Sequence, residues 1–420
     1  MRGVAANPWL QLRIEARVAL IAACSVCSAT GLADPVPSLS GSHPFHFPLY
    51  WEEASWLSDH WRQSDLERKL TTSWRDAHEA AADLAFKYRL GSVQEPLEMR
   101  DLEGDLNLVA QKALGRAKKR KPPKDITNVT ATPESGAFTF CDAKYSEVLL
   151  VFDGPPLQTP QNENWRGAAS TALIPREEDG HSDLPAHTVL LNVSPMGTFN
   201  VVLAIDLAEK LPQVLTERSL HVAAELSLKS SSFLRLTFNS LGAGASVNHL
   251  HWQGVYLRQA LPLERRSEET IAFDSGLSVA EVVGWPAPTL VFVVPKANAE
   301  APATLSSKAF PFLEALLDNN LAHNLLLVSG ADALRLYVVP RRLVNFPDTT
   351  RAQVASTEIF GWWIVPDAEE YSALTEQDAS TRMASVAAWG SDWKEIVRDM
   401  LSDLGWTLAS GASPSEEEEL

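Results

Sequence analysis

Phe238-Asn239-Ser240-Leu241-Gly242-Ala243-Gly244-Ala245-Ser246-Val247-Asn248-His249-Leu250-His251-Trp252-Gln253-Gly254-Val255-Tyr256-Leu257 is the stretch on which the reading of this chain turns. Its second half is rich in β-branched, aromatic and large apolar residues and reads as a strand. Alternation puts Val247, His249, His251, Gln253, Val255 and Leu257 on one face, with Asn248, Leu250, Trp252 and Tyr256 on the other. Two imidazoles and a carboxamide thus form a polar ladder with rungs roughly 6.5–7 Å apart, while Leu250 and Trp252 point toward a core. Ahead of the strand, Gly242-Ala243-Gly244-Ala245 is small and flexible enough for backbone amides to approach an anion.

One strand histidine, taken alone, is an ordinary residue. His-x-His-x-Gln on one face behind a Gly/Ala loop is a narrower pattern, because these residue types suit one chemistry. A neutral imidazole near pH 7 is a competent nucleophile toward phosphorus. A second imidazole two residues away can hold it in place, and a carboxamide can donate to a phosphoryl oxygen without adding charge.

Bulk properties narrow the field. At 420 residues the chain can bury a large core and is long enough for two packed units. Its formal charge of −17 argues against nucleic acid as a partner and means that an anionic substrate needs a local cluster of Arg and Lys. Three cysteines, of which Cys141 alone lies in the body of the chain, exclude a disulfide framework and a Cys-based zinc site. Cys24-x-x-Cys27 has a redox spacing, but its apolar N-terminal context lacks a βα pattern. No other ligand cluster signals a metal, and none is expected; nor is a cofactor.

In order along the chain, residues 1–33 read as a targeting segment, with Arg2, Arg13 and Arg17 ahead of an apolar run, Val18 to Cys27, too short to span a membrane. Residues 34–64 form a Pro- and aromatic-rich extension whose His43 and His46 read as exposed loop residues. A helix is expected from Asp65 to Leu90, with Leu66, Leu70, Trp74, Ala77 and Ala81 on one face and Gly91 to end it. The basic run Arg116 to Pro123 reads either as a solvated loop or as the place where phosphates are met. Strands are expected at 147–152, 188–193, 200–207, 233–238 and the His strand, with a long loop before His187 and a helix over 215–229. A second unit follows Trp285-Pro286: a strand at 289–294, a helix at 306–319, a hairpin of 324–328 and 334–339 around Gly330-Ala331-Asp332, a strand at 360–365, and a last helix with Trp393, Val397 and Leu401 on one face. The fold class is therefore α+β, antiparallel sheets with packed helices. The divisions are 65–285 and 286–408, followed by an acidic tail, 409–420, expected to be disordered.

His249-Leu250-His251-Trp252-Gln253 resembles the histidine-triad signature in its nucleotidyltransferase form, where Gln takes the third His position. The longer string from Phe238 to His251 is similar to the family of plant GDP-L-galactose phosphorylases and animal GDP-D-glucose phosphorylases. Colinear matches support it: Lys87-Tyr88-Arg89-Leu90-Gly91, Gln111 with the basic run, Thr139-Phe140, Leu190 to Pro195, Asp318-Asn319-Asn320 with Asn324-Leu325-Leu326, and Leu336 to Pro340. The resemblance implies two histidine-triad-like halves as in galactose-1-phosphate uridylyltransferase, of which only the first is catalytic. It implies conversion of GDP-hexose and phosphate to hexose 1-phosphate and GDP through a covalent guanylyl-histidine, with a link to ascorbate biosynthesis. His251 would be the nucleophile and His249 its orienting partner. Gln253, Ser246 and the loop amides at Gly242 and Gly244 would stabilise phosphoryl oxygens. Asn239, Ser240, Asn248, Asn192, Gln111 and Arg116 are further candidates for nucleotide or phosphate contact. Gln253 favours GDP-L-galactose over GDP-D-glucose. A cytoplasmic location follows from the resemblance, a secretory or organellar one from residues 1–33, and a homodimer is one option for assembly.

One stretch departs from the family. Where Ser-Pro-x-x-Tyr-Gly-His-Val-Leu-Leu-Val-Pro is usual, this chain reads Ser194-Pro195-Met196-Gly197-Thr198-Phe199-Asn200-Val201-Val202-Leu203-Ala204-Ile205. Two alternatives therefore stand beside the phosphorylase: a histidine-triad hydrolase that releases GMP, and a diverged guanine-nucleotide-binding protein without turnover.

Overall fold

The computed structural model describes residues 65–80, 98–114, 116, 126–144, 147–152, 187–197, 199–230, 232–298, 300–344 and 352–409. The expected targeting segment and N-terminal extension, the last part of the first helix, the basic run from 117 to 123 and the acidic tail after 409 lie outside the described residues.

Helix α1 (Asp65–Ala80) buries Leu66, Leu70 and Trp74, three residues spaced by four that line one face. A small sheet follows, in which β1 (Met99–Asp101) pairs antiparallel with β2 (Val109–Lys112). The remaining strands, except one, build a single antiparallel sheet. Its first half comprises β3 (Val148–Phe152), β4 (His187–Leu191), β5 (Val201–Ile205), β6 (Leu234–Asn239) and β7 (His251–Tyr256), with helix α2 (Glu217–Lys229) between β5 and β6. Its second half comprises β8 (Glu268–Asp274), β9 (Leu277–Val282), β10 (Leu290–Pro295), β11 (Ala322–Ser329) and β12 (Ala333–Arg341), with α3 (Ala301–Asp318) between β10 and β11. Short α4 (Ser356–Ile359) leads to β13 (Trp362–Val365), which pairs in parallel with β2. Then come α5 (Ala368–Ala373), α6 (Glu376–Ser385), α7 (Trp393–Asp403) and β14 (Thr407–Leu408), which extends the far edge beside β8.

The strand order, β14-β8-β9-β10-β12-β11-β6-β7-β5-β4-β3, reads as the same arrangement from either side of the β11/β6 contact. Thr237 faces Leu326 at the centre of that ladder. The next strand out presents Gln253 beside Thr237 and Tyr337 beside Leu326. Gln253 and Tyr337 thus occupy matching places, and two residues earlier so do His251 and Arg335. Arg335 is committed to Asp332 and Glu268, and the Tyr337 hydroxyl donates to Glu268. The second half places an ion-pair cluster where the first half places imidazole and carboxamide.

Alternation divides the sheet into two faces. Leu203, Leu236, Phe238, Trp252, Leu325 and Leu336 belong to one large core under the helices. Val255, Leu326, Val328 and Val339 face the other way, into a second core with Trp362, Trp363 and Phe360. His251 and Gln253 share the alternation of Val255 and lie on this second face. β4, β5 and β11 are buried on both sides, which explains the hydrophobic runs 189–191, 201–205 and 325–328 within them.

Phe199, where the family pattern has Gly, sits at φ +56, in the left-handed region. Its buried ring meets Trp74 edge-on at 5.3 Å and Tyr256 at 6.2 Å. A side chain in that backbone region costs about 1–2 kcal/mol, whereas truncating a buried Phe costs about 3–5 kcal/mol. Phe199→Ala therefore loses the ring and keeps the strain, while Phe199→Gly loses the ring and releases it. Urea unfolding should place both variants below wild type, with Gly the more stable of the two; an Ala variant at or above the Gly variant would show that the backbone here is unstrained.

Candidate active site

β7 starts at His251, so His249 lies in the bend before it and not one rung along the same strand. Ala204 of β5 pairs with His251. The His251 Nδ1 stands 2.7 Å from the backbone oxygen of His249. A carbonyl only accepts, so Nδ1 carries the hydrogen and Nε2 keeps its lone pair. His249 is in the opposite tautomer. The Phe140 N–H donates to its Nδ1 at 3.0 Å, which puts the ring hydrogen on Nε2, a buried donor without an acceptor among the described residues. The contact from His249 to the His251 ring is made by its carbonyl, while its own ring is held by Phe140.

Phe140 opens a 3₁₀ turn (Phe140–Asp142) fixed by Asp142, whose Oδ2 accepts from the Thr139 N–H and hydroxyl. Its ring lies 4.8 Å from that of His251 and 5.5 Å from that of His249. The two imidazoles are thereby withdrawn from water. Burial lowers His249 to about 3, helped by His251 and Lys210, with Asp142 opposing. Burial lowers His251 to about 4, opposed by its bond to the His249 carbonyl. Both rings are neutral at pH 7.

The other sequence-predicted residues divide into free and committed groups. Gln253 is half-buried, and no described residue bonds its carboxamide; Ser246 is exposed. Asn248 is committed: it accepts from the Gln213 N–H and donates to the Ala131 carbonyl. The Asn239 oxygen accepts from Asn324 at 2.7 Å and from the Ser356 N–H at 2.8 Å. The Ser240 hydroxyl accepts from the His323 N–H and donates to the Leu241 carbonyl. Gly242 and Gly244 have φ of +72 and +100, and a Cβ there would lie 2.2 Å from Leu343 and 2.7 Å from Ala355. Their smallness lets the loop pack against those two segments.

Gln111, Arg116 and Asn192 gather around one turn, 194–197. Gln111, wholly buried on β2, donates to the Met196 carbonyl and accepts from the Trp362 indole. Arg116 donates to the Ser194 carbonyl. Asn192 accepts from the Ser194 N–H and donates to Asn200. Asn200 accepts from the Met196 N–H and donates to the Gly254 carbonyl at 2.8 Å. The departure from the family pattern is thus a fully bonded residue that ties this turn to β7, the strand of His251.

Two features escaped the sequence reading. Gln213, wholly buried, bonds both the N–H and the carbonyl of His251. Beyond Asn239 lies a buried polar cluster in which Arg341 donates to Asn324 and to the Val354 carbonyl. Burial lowers Arg341 to about 9 against the pull of Glu358, whose own carboxyl burial pushes up. Neither follows a local motif. Only long-range pairing brings these residues together.

With this geometry in place, comparison with known proteins gives a consistent result. The family described as GDPGP1-like, N-terminal domain, matches residues 65–255, and GDPGP1-like, C-terminal domain, matches residues 262–406. The chain is 29% identical over 347 residues to GDP-D-glucose phosphorylase 1 of Homo sapiens, covering 79% of this chain and 82% of the relative. It is 26% identical over 341 residues to GDP-L-galactose phosphorylase 1 of Arabidopsis thaliana, covering 79% and 72%. Among solved structures, yeast Ap4A phosphorylase Apa2 in complex with Ap4A superposes with a TM-score of 0.50 at 14% identity, covering 77% of this chain and 98% of that one, a likeness of fold.

The buried histidines make stability depend on pH. His323, wholly buried and stacked on Phe238, is also lowered to about 4 by burial. In the unfolded chain these rings titrate near the ordinary value of about 6.5, so between there and about 4 the unfolded state binds more protons than the folded state. Stability is then full above about pH 7 and falls as pH drops through that window. His251→Gln should flatten the fall by about 1.4 kcal/mol per pH unit, read from urea midpoints across the window. Parallel curves for variant and wild type would show that His251 is protonated in the folded protein.

Proposed function

Because the chain belongs to the GDPGP1-like family, whose two domains it matches in order, we propose that it is a GDP-hexose phosphorylase acting through His251. The observation that carries the residue assignment is the tautomer of that ring. Its Nδ1–H is engaged by the His249 carbonyl, and the neutral Nε2 is left with a lone pair.

The chemistry follows from those atoms. Nε2 attacks the guanosine-linked phosphorus of GDP-hexose; the Nε2–P bond forms as the bond to the bridging oxygen breaks, and hexose 1-phosphate leaves with that electron pair. The ring gains positive charge as the bond forms. The His249 carbonyl, already aligned on Nδ1–H, therefore binds more strongly in the transition state than in the ground state. Inorganic phosphate then attacks the guanylyl-histidine, releases the ring and yields GDP. Because burial keeps His251 neutral well below pH 7, the nucleophile needs no deprotonation at physiological pH.

The roles of the neighbours rest on what each has free. The His249 Nε2–H is a buried donor awaiting an acceptor, which suits a phosphoryl oxygen. Gln253, two residues from the nucleophile on the same face, has an uncommitted carboxamide for the same task. Ser246 and the amides of Gly242 and Gly244 are further donors, the Ala243 amide being bonded to the Ser240 carbonyl. By contrast, Asn192, Gln111, Arg116, Asn239, Ser240 and Asn248 spend hydrogen bonds on the scaffold, so their contribution is read as shaping the nucleotide site.

Nucleotide products should be resolved with GDP-D-glucose and GDP-L-galactose, with and without phosphate, for wild type and His251→Ala. Phosphate-dependent GDP, lost by at least a thousandfold in the variant as expected for a nucleophile, on the order of triad deletions, is the expected result. GMP formed regardless of phosphate would make the protein a hydrolase. Guanine-nucleotide binding without product would make it a silent relative.

A further inference from the structure

The ladder between β6 and β7 stops at Thr237 and Gln253. β7 nevertheless continues to His251, still paired to Ala204 of β5 on its other side. Where β6 parts from β7, the segment before α2 enters in its place. The Leu250 N–H donates to the Leu211 carbonyl at 2.8 Å, and the Gln213 N–H donates to Asn248 at 2.8 Å. The Gln213 side chain fills what remains of the gap. Its Oε1 accepts from the His251 N–H at 2.8 Å, and its Nε2 donates both to the His251 carbonyl at 3.0 Å and to the Asn239 carbonyl at 2.9 Å.

Three backbone groups would otherwise be orphaned in a dry place, one donor and two acceptors. A carboxamide satisfies all three at once, because it offers one accepting oxygen and two N–H groups. A carboxylate would turn a lone pair toward two carbonyls, and an aliphatic side chain would satisfy none. The residue type is therefore dictated by the gap, and the gap lies under the nucleophile. Binding both the N–H and the carbonyl of His251 fixes the φ and ψ that carry its ring toward the His249 carbonyl.

We propose that Gln213 is a positioning residue for His251: it holds the nucleophile's backbone where the ladder has opened, so that the Nδ1–H bond and the direction of Nε2 are preset before substrate arrives. This rests on the guanylyl-transfer reading of His251. Misplacing a reacting atom by about an ångström costs on the order of 100-fold in rate. Gln213→Leu, assayed with the GDP-hexose that wild type turns over, should lose about 10- to 100-fold in kcat with KM within about threefold, the signature of an interaction needed for chemistry and not for binding. Gln213→Glu has the same shape. Its buried carboxyl titrates above the ordinary carboxylate range, so kcat should recover as pH falls from about 7.5 to about 5.5, where the protonated form regains one donor; wild type should show no such gain. A folded Leu or Glu variant with wild-type kcat, or a loss confined to KM, overturns the proposal. If Leu fails to fold, the Glu profile decides it. If wild type turns over no GDP-hexose, the reaction reading falls, and ¹⁵N-histidine spectra decide Gln213 alone. A single Nδ1–H tautomer of His251 in wild type that becomes mixed in either variant supports it, and an unchanged tautomer overturns it.

Discussion

The pairing of β6 with β11 is the constraint on which the rest depends. These two strands join the halves into one sheet, and five ladder pairs, from Asn239 with Asn324 to Arg235 with Val328, set the register of everything outward. The contact is sealed at one end by the Asn324-to-Asn239 side-chain bond, with Arg341 behind it. Buried amides and a buried guanidinium are costly unless bonded, so this end of the junction tolerates few alternative registers. β7 lies directly beside β6. The position of His251 is therefore inherited from a contact between halves, not from the His segment alone.

Burial around the site fixes the protonation state of its imidazoles. Withdrawing the two rings from water lowers their affinity for protons and leaves both neutral at pH 7. It also leaves the His249 Nε2–H without an acceptor among the described residues, at a cost of about 1–3 kcal/mol. The matching place in the second half holds no such cost. There Arg335, Asp332, Glu268 and Tyr337 satisfy one another. Two halves of the same architecture thus carry opposite local economies, one poised and one closed.

Much of this was legible in the chain. Apolar runs such as 201–205 and 325–328 announce strands covered on both faces, and Leu66, Leu70 and Trp74 announce a helix. The His251 and Gln253 face was legible from alternation. The start of β7 was not, because Val247 to Leu250 alternates like a strand but is captured by the 211–213 segment. The hairpin of β8 and β9 was hidden by half-buried Glu268 and exposed Glu269 and Thr270, which blur the apolar period. Gln213 and Arg341 act across gaps of 38 and 17 residues, and no local pattern records such bonds. The glycines at 242 and 244 suggested an anion cradle; their positive φ and the nearness of Leu343 and Ala355 give a packing reason as well.

Phe199 has a long-range consequence. A bulky residue occupies its left-handed backbone where Trp74, from a helix far earlier in the chain, and Tyr256, from the end of the His251 strand, enclose the ring. Without those partners the side chain would be unfavourable at this φ, and with them in place its removal would leave a void between two aromatic rings. The three residues therefore act as one unit, and a change in the first helix is transmitted to the segment before β5 across more than 100 residues of sequence.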